Sequence, residues 1–128
     1  MPLTITLFYA GVLGAWFLVL TVRVILGRRS AGVSLGSGED RRLERRIRAH
    51  GNFAEYTPFA LILLALLESQ GTVGWLLHLC GMSLLVGRVL HGYALSFTPH
   101  SPLRVPGMVL TLVALVVMVV MAILVAVF

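Results

Sequence analysis

Long uncharged stretches alternate with short polar ones along this chain. The spacing suits a membrane rather than a soluble core. Leu3 to Val22 carries no charged residue, and about 20 apolar residues are enough for a helix to cross a bilayer. Val73 to Val86 is apolar, Arg88 interrupts it, and the run resumes to Leu95; Val105 to Phe128 is uncharged. The remaining stretch is partly masked. Phe53 to Leu67 is apolar except for Glu55, Tyr56, Thr57 and Pro58. The pattern predicts one domain over residues 1–128, with spans at about 3–26, 40–68, 73–95 and 104–128. The expected fold is an all-α integral membrane protein, a bundle of four transmembrane helices.

The joints carry local signals. "GRRSAGVSLGSGED" (27–40) is rich in Gly and Ser and reads as a mobile loop. Ser37, Glu39 and Asp40 suit a helix start, with acids near its positive end. A helix from there to Glu68, rising about 1.5 Å per residue, is longer than the roughly 30 Å hydrocarbon core. Its first turns, "DRRLERRIR", therefore project from the membrane. "SFTPHSP" (96–102) breaks the chain before the fourth span.

Composition and charge sharpen the picture. The chain has 128 residues, of which 59% are hydrophobic and 12% charged, too apolar for a soluble globule of this size. All ten basic residues are Arg. Six fall between Arg28 and Arg46, and Arg23 and Arg48 flank them. The positive-inside rule puts that connection in the cytoplasm. The third connection is then cytoplasmic too, and both termini are outside. The net charge of +5 clusters where the chain enters the membrane. It fits topology and anionic headgroups, not nucleic acid. A cleaved leader is not expected, because no positive segment precedes the first apolar run. Cys80 has no second cysteine to pair with and reads as a small apolar filler.

The segment "RIRAHGNFAEYTPF" (46–59) holds the candidate chemistry. At about 100° per residue, Arg48, Asn52, Glu55 and Phe59 share one helix face, with Arg41 and Arg45 continuing it toward the cytoplasm. His50 points nearly the opposite way and is expected to pair with a neighbouring helix. Pro58 frees the carbonyl of Ala54. A carboxylate inside a span costs several kcal/mol unless it is paired, so Glu55 is expected to be buried against protein. Arg88 and His91 on the third span, and Arg104 at the start of the fourth, lie at a similar depth. Two readings stand. Glu55 and Arg88 form a buried ion pair that fixes register, with Asn52 bonding a neighbouring helix. Alternatively, the excess cations hold an anionic ligand and Glu55 takes its ammonium. No metal site is expected, since His50 has no ligating companion at helical spacing. Two pairs four residues apart, Ala10 with Gly14 and Ser83 with Gly87, permit close helix approach.

"RAHGNFAEYTPF" resembles the signature of the MAPEG family, the membrane-associated proteins in eicosanoid and glutathione metabolism. The matching positions are Arg48, Ala49, Asn52, Glu55, Tyr56 and Pro58. "GRVLHGYA" resembles the family's third-span motif and "PLRVPG" the start of its fourth. The resemblance covers essentially the whole chain and points to a bacterial member in the inner membrane. It implies a homotrimer that binds glutathione as cosubstrate between protomers, near the cytoplasmic side. The family's enzymes are glutathione transferases, glutathione peroxidases and prostaglandin E or leukotriene synthases; one branch only binds lipid. The resemblance also implies roles. Arg48, Asn52, Glu55, Tyr56, Arg88 and His91 would bind glutathione, and Arg104 would be the catalytic residue that activates its thiol. A lipophilic electrophile would arrive from the membrane lipids.

Four positions depart from the pattern. Leu95 stands where some members carry tyrosine, with Tyr93 elsewhere on the helix; His91 stands where members vary between aromatic residues. Gly107 and Met108 stand where prostaglandin synthases have a further arginine. Prostaglandin synthesis is therefore disfavoured. The expected activity is a glutathione-dependent transferase or peroxidase. The alternative is a non-catalytic lipid- or thiol-binding protein of the same fold. An unrelated transporter or channel subunit fits poorly, because polar groups do not recur along the full length of any span.

Overall fold

The computed structural model describes residues 2–98 and 100–128. They form four helices: α1 (Thr4–Ala31), α2 (Arg41–Ser69), α3 (Gly74–Ser96) and α4 (Arg104–Val127). By length and composition α1, α3 and α4 are each apolar enough to cross a membrane. Their outward residues include Leu7, Leu18, Trp75, Val105 and Val116, all largely exposed, as hydrocarbon-facing side chains would be.

The expected loop from Gly27 starts later, because α1 runs on to Ala31. Gly27 is helical and packs against α2: a Cβ built there would meet Leu43 at 3.0 Å. The helix stops at Gly32, whose φ of 71° is left-handed, a conformation open to glycine at little cost. Its N–H bonds the carbonyl of Arg28. The expected start of α2 is present. Asp40 caps it, accepting from the N–H groups of Arg42 at 2.9 Å and Leu43 at 3.1 Å.

Glu68 supplies a cap that local sequence does not suggest. It sits near the end of α2 and accepts from the N–H groups of Ile5 and Thr6, both at 2.8 Å. Those donors belong to the first turn of α1, which has no side-chain cap of its own. The carboxylate thus ties the start of α1 to the end of α2. Glu68→Gln turns one acceptor into a donor facing an N–H. The expected cost is about 1.5–3 kcal/mol, the scale of a hydrogen bond to a charged group. Thermal unfolding in detergent, followed by circular dichroism, should show the lowered midpoint.

α1 packs on α2 and α3, and α4 packs on α3 and α2; α1 and α4 do not touch. α2 and α3 are therefore the central pair. Tyr9, Leu13, Leu20, Phe53, Leu64, Leu84 and Met118 form the interior. The Tyr9 hydroxyl lies 3.0 Å from His78 Nδ1, which gives that histidine a partner. α3 and α4 approach most closely at Gly87 and Gly107. A Cβ on Gly107 would stand 2.5 Å from His91 N and 2.8 Å from Gly87 O. Ser83, one turn from Gly87, donates to Leu110 O at 2.9 Å. Gly14 has no such role within the four-helix bundle, since nothing lies within 4 Å of a Cβ built there.

Candidate functional site

The basic end of the bundle is assembled from α2, α3 and α4. The 3- and 4-residue spacing of Arg45, Arg48 and Asn52 puts them on one face of α2. His91 and Leu95 come from α3, and Arg104 from the first position of α4. With Glu44, these side chains line a cavity of about 200 Å³. A second cavity of about 370 Å³ shares Asn52, His91 and Arg104 with it. The rest of its wall is apolar: Val105, Met108, Val109 and Leu112 of α4. A cationic chamber thus opens onto a greasy groove that runs along α4.

Arg88 stands behind this chamber rather than in its wall. It is 1% exposed. Nε donates to Thr111 Oγ1 at 3.0 Å and Nη1 to Asn52 Oδ1 at 2.6 Å. Met108 Sδ lies 3.6 Å from Nη2, and the guanidinium carbon sits 5.8 Å from the Tyr56 ring centroid. Thr111 is itself held, donating to Gly107 O at 2.9 Å. On the other side of α3, Trp16 Nε1 donates to the Arg88 carbonyl at 3.3 Å. The guanidinium is thus buried among neutral acceptors.

Glu55 corrects the sequence-based expectation. It is not buried and does not pair with Arg88. Its contact is Arg48, with Nη1 to Oε1 at 3.8 Å and both side chains more than half exposed. An exposed pair of this length contributes little to stability. It is the ion pair present among the described residues. The reason is angular. Asn52 lies between Arg48 and Glu55 on the helix but turns inward to α3, so it receives Arg88 and Glu55 does not. Arg48, Glu55 and Phe59 remain on an open face of the bundle.

Of the predicted residues, Arg48, Asn52, His91 and Arg104 meet at one cavity. Glu55 lies on the rim side, and Tyr56 sits below, beside Arg88. His91 is 4% exposed. His50 does face away: Nε2 lies 3.2 Å from Thr21 Oγ1, and its ring stacks on Phe17 at 4.7 Å. Glu44, Arg45, Met108 and Thr111 also belong to the site, and the sequence pattern does not mark them as site residues. Glu44 is one turn before Arg48, a spacing that was available to find it. Thr111, one turn past Gly107, gave no such signal.

The family model described as "MAPEG family" matches residues 6–124. Two curated relatives, from Escherichia coli strain K12 and Escherichia coli O6:H1, both carry the name "Inner membrane protein YecN". Each is 40% identical to this chain over 70 residues, which is 55% of this chain and 53% of the relative. The match thus spans about half the length of either relative. No solved structure matches.

Proposed function

The chain belongs to the MAPEG family, and from that premise we propose that it is a membrane-bound, glutathione-dependent transferase or peroxidase acting on lipophilic electrophiles. One observation carries the reading: a cationic chamber and an apolar groove share Asn52, His91 and Arg104. A polar thiol in the first and a lipophilic molecule in the second would meet at those three side chains.

Glutathione has two carboxylates, one ammonium and one thiol. Arginine forks suit the carboxylates, and Arg48 and Arg45 face the chamber for that purpose. Asn52 offers its amide, which Arg88 holds in place. Glu55 takes the ammonium from the rim. Arg104 adjoins both cavities, so it is the cation for the sulfur. A free thiol has a pKa of about 8.5, and a neighbouring cation lowers it. The thiol proton leaves to solvent. The thiolate sulfur then forms a bond to the electrophilic atom, and the leaving group departs with its electron pair. On a hydroperoxide the sulfur attacks the distal oxygen, alkoxide leaves and takes up a proton, and a second glutathione completes the disulfide with loss of water.

Arg48, Glu55 and Phe59 are exposed in one protomer, and a homotrimer would enclose them against a neighbour. The arginine-rich end faces the cytoplasm, where glutathione is found, with the bundle in the inner membrane. A non-catalytic, thiol-binding protein of the same fold is the second reading. It is favoured by Leu95, an apolar side chain on the chamber wall.

Native mass spectrometry in mild detergent with glutathione, run beside a conjugation assay with an aryl halide, tests this. Three chains carrying glutathione, with turnover, is the expected result. Glutathione bound to three chains without turnover selects the second reading. A monomer that binds no glutathione removes both.

A further inference from the structure

A second basic cavity, of about 290 Å³, lies on the α1 side of the α2–α3 pair, whereas the candidate site lies on the α4 side. Four arginines line it: Arg23 from α1, and Arg42, Arg45 and Arg46 from the first turns of α2. The end of α3, with Ser96, Phe97 and Thr98, closes it. No carboxylate is among its lining residues.

The bonds these arginines make all go to neutral oxygens. Arg23 donates to Ser96 Oγ at 3.3 Å and Ser96 O at 2.7 Å. Arg45 donates to Ala94 O at 3.0 Å and Thr98 O at 3.3 Å, and Arg46 to Arg23 O at 2.9 Å. The Arg42 side chain makes no hydrogen bond among the described residues. Each guanidinium has five N–H donors, so most of the donors in this cavity are uncommitted. Four positive charges around one space, with no negative charge in its wall, focus the field on an anion.

The surface beside the cavity narrows the class of anion. The Arg23 guanidinium lies 3.9 Å over the Phe97 ring. Phe97 stacks between Trp16 and Tyr93, at 6.0 Å and 5.6 Å with interplanar angles of 18° and 16°. Tyr93 and Phe97 are 43% and 37% exposed. Trp16 is two turns deeper along α1 than Arg23, and exposed Val12 and Val19 flank it. Arginines, then aromatic rings, then aliphatic surface follow one another toward the bilayer. Phosphate, glycerol and acyl chain follow one another in the same order in a phospholipid. Aromatic rings favour the headgroup level, and arginine forks match phosphate oxygens.

We propose that this cavity seats the phosphate of an anionic phospholipid, whose acyl chains lie along Trp16 and the apolar flank of α1. The site is separate from the glutathione chamber, although Arg45 and Leu95 line both. It holds whether or not the proposed chemistry does.

The test uses the full chain, stripped of lipid in detergent. Phosphatidylglycerol, phosphatidylcholine of the same acyl chains, and inorganic phosphate are titrated separately, with binding read by native mass spectrometry and melting temperature. Phosphatidylglycerol alone should bind at low micromolar excess and raise the melting temperature. Arg42→Gln removes a charge that no fold contact uses. It should weaken that binding about fivefold, the share of one surface arginine, with an unchanged lipid-free melting temperature. Equal binding of phosphatidylcholine overturns the proposal, as does equal stabilisation by inorganic phosphate, which would make the ligand a free anion. Undiminished lipid binding by Arg42→Gln overturns it too.

Discussion

Gly107→Val should separate α3 from α4, and it is the most damaging single change expected outside the polar residues. Two effects oppose each other. Glycine inside a helix is worth about 1 kcal/mol less than alanine, so a side chain gains helix propensity. Against that, the first added carbon would lie 2.5 Å from His91 N and 2.8 Å from Gly87 O. Both are backbone atoms and have no rotamer to change, so the helices must move apart. Overpacking of a close contact costs about 1–3 kcal/mol, more when backbone must shift. Two further carbons on valine push the cost to the upper end. The displaced segment carries His91 and Arg88 on one side and Thr111 and Arg104 on the other. The mutant should melt early and lose glutathione binding together. A mutant that melts like the wild type would mean that α3 and α4 are not held at this distance.

How much was legible in the sequence depends on how local the cause is. The predicted first span, 3–26, ends early because Gly27 opens the Gly- and Ser-rich stretch that reads as a loop. α1 continues to Ala31 because the small residue fits against Leu43. The start of α2 was readable, since Asp40 caps the helix it begins. The shared face of Arg48, Asn52 and Glu55 was also readable, and so was the opposite direction of His50. Which of the three turns inward was not. That depends on the rotation of α2 against α3, set by the packing of the shared core to which Phe53, Leu64 and Leu84 belong. Periodicity gives a face but not its partner. Periodicity therefore leaves an Arg88 pairing open for Glu55, and the structure gives Arg88 to Asn52 and Thr111 instead. In the sequence, Glu68 marks only the end of a span. Its partners are Ile5 and Thr6, 62 and 63 residues away, and no local pattern could point there.

Arg88→Met should separate binding from stability. A buried guanidinium without a carboxylate partner is costly to keep, because no counter-charge repays its desolvation. The partners left behind here are not stranded. Thr111 keeps its bond to Gly107 O. Asn52 borders the chamber, so water can reach the oxygen that Arg88 leaves. Methionine also suits the space beside Met108. The mutant should therefore assemble and melt within a few degrees of the wild type. Glutathione binding should suffer much more. The chamber loses a cation directly behind Asn52, and the Asn52 amide loses the donor that aims it. A charge-assisted hydrogen bond is worth about 1.5–3 kcal/mol, so affinity should fall roughly ten- to a hundredfold. Calorimetric titration of glutathione, with a thermal melt of the same sample, measures both. Early melting with glutathione affinity intact would assign Arg88 to the architecture of the bundle. Loss of affinity at an unchanged melting point would assign it to the ligand, and would explain why so apolar a core holds an unpaired arginine.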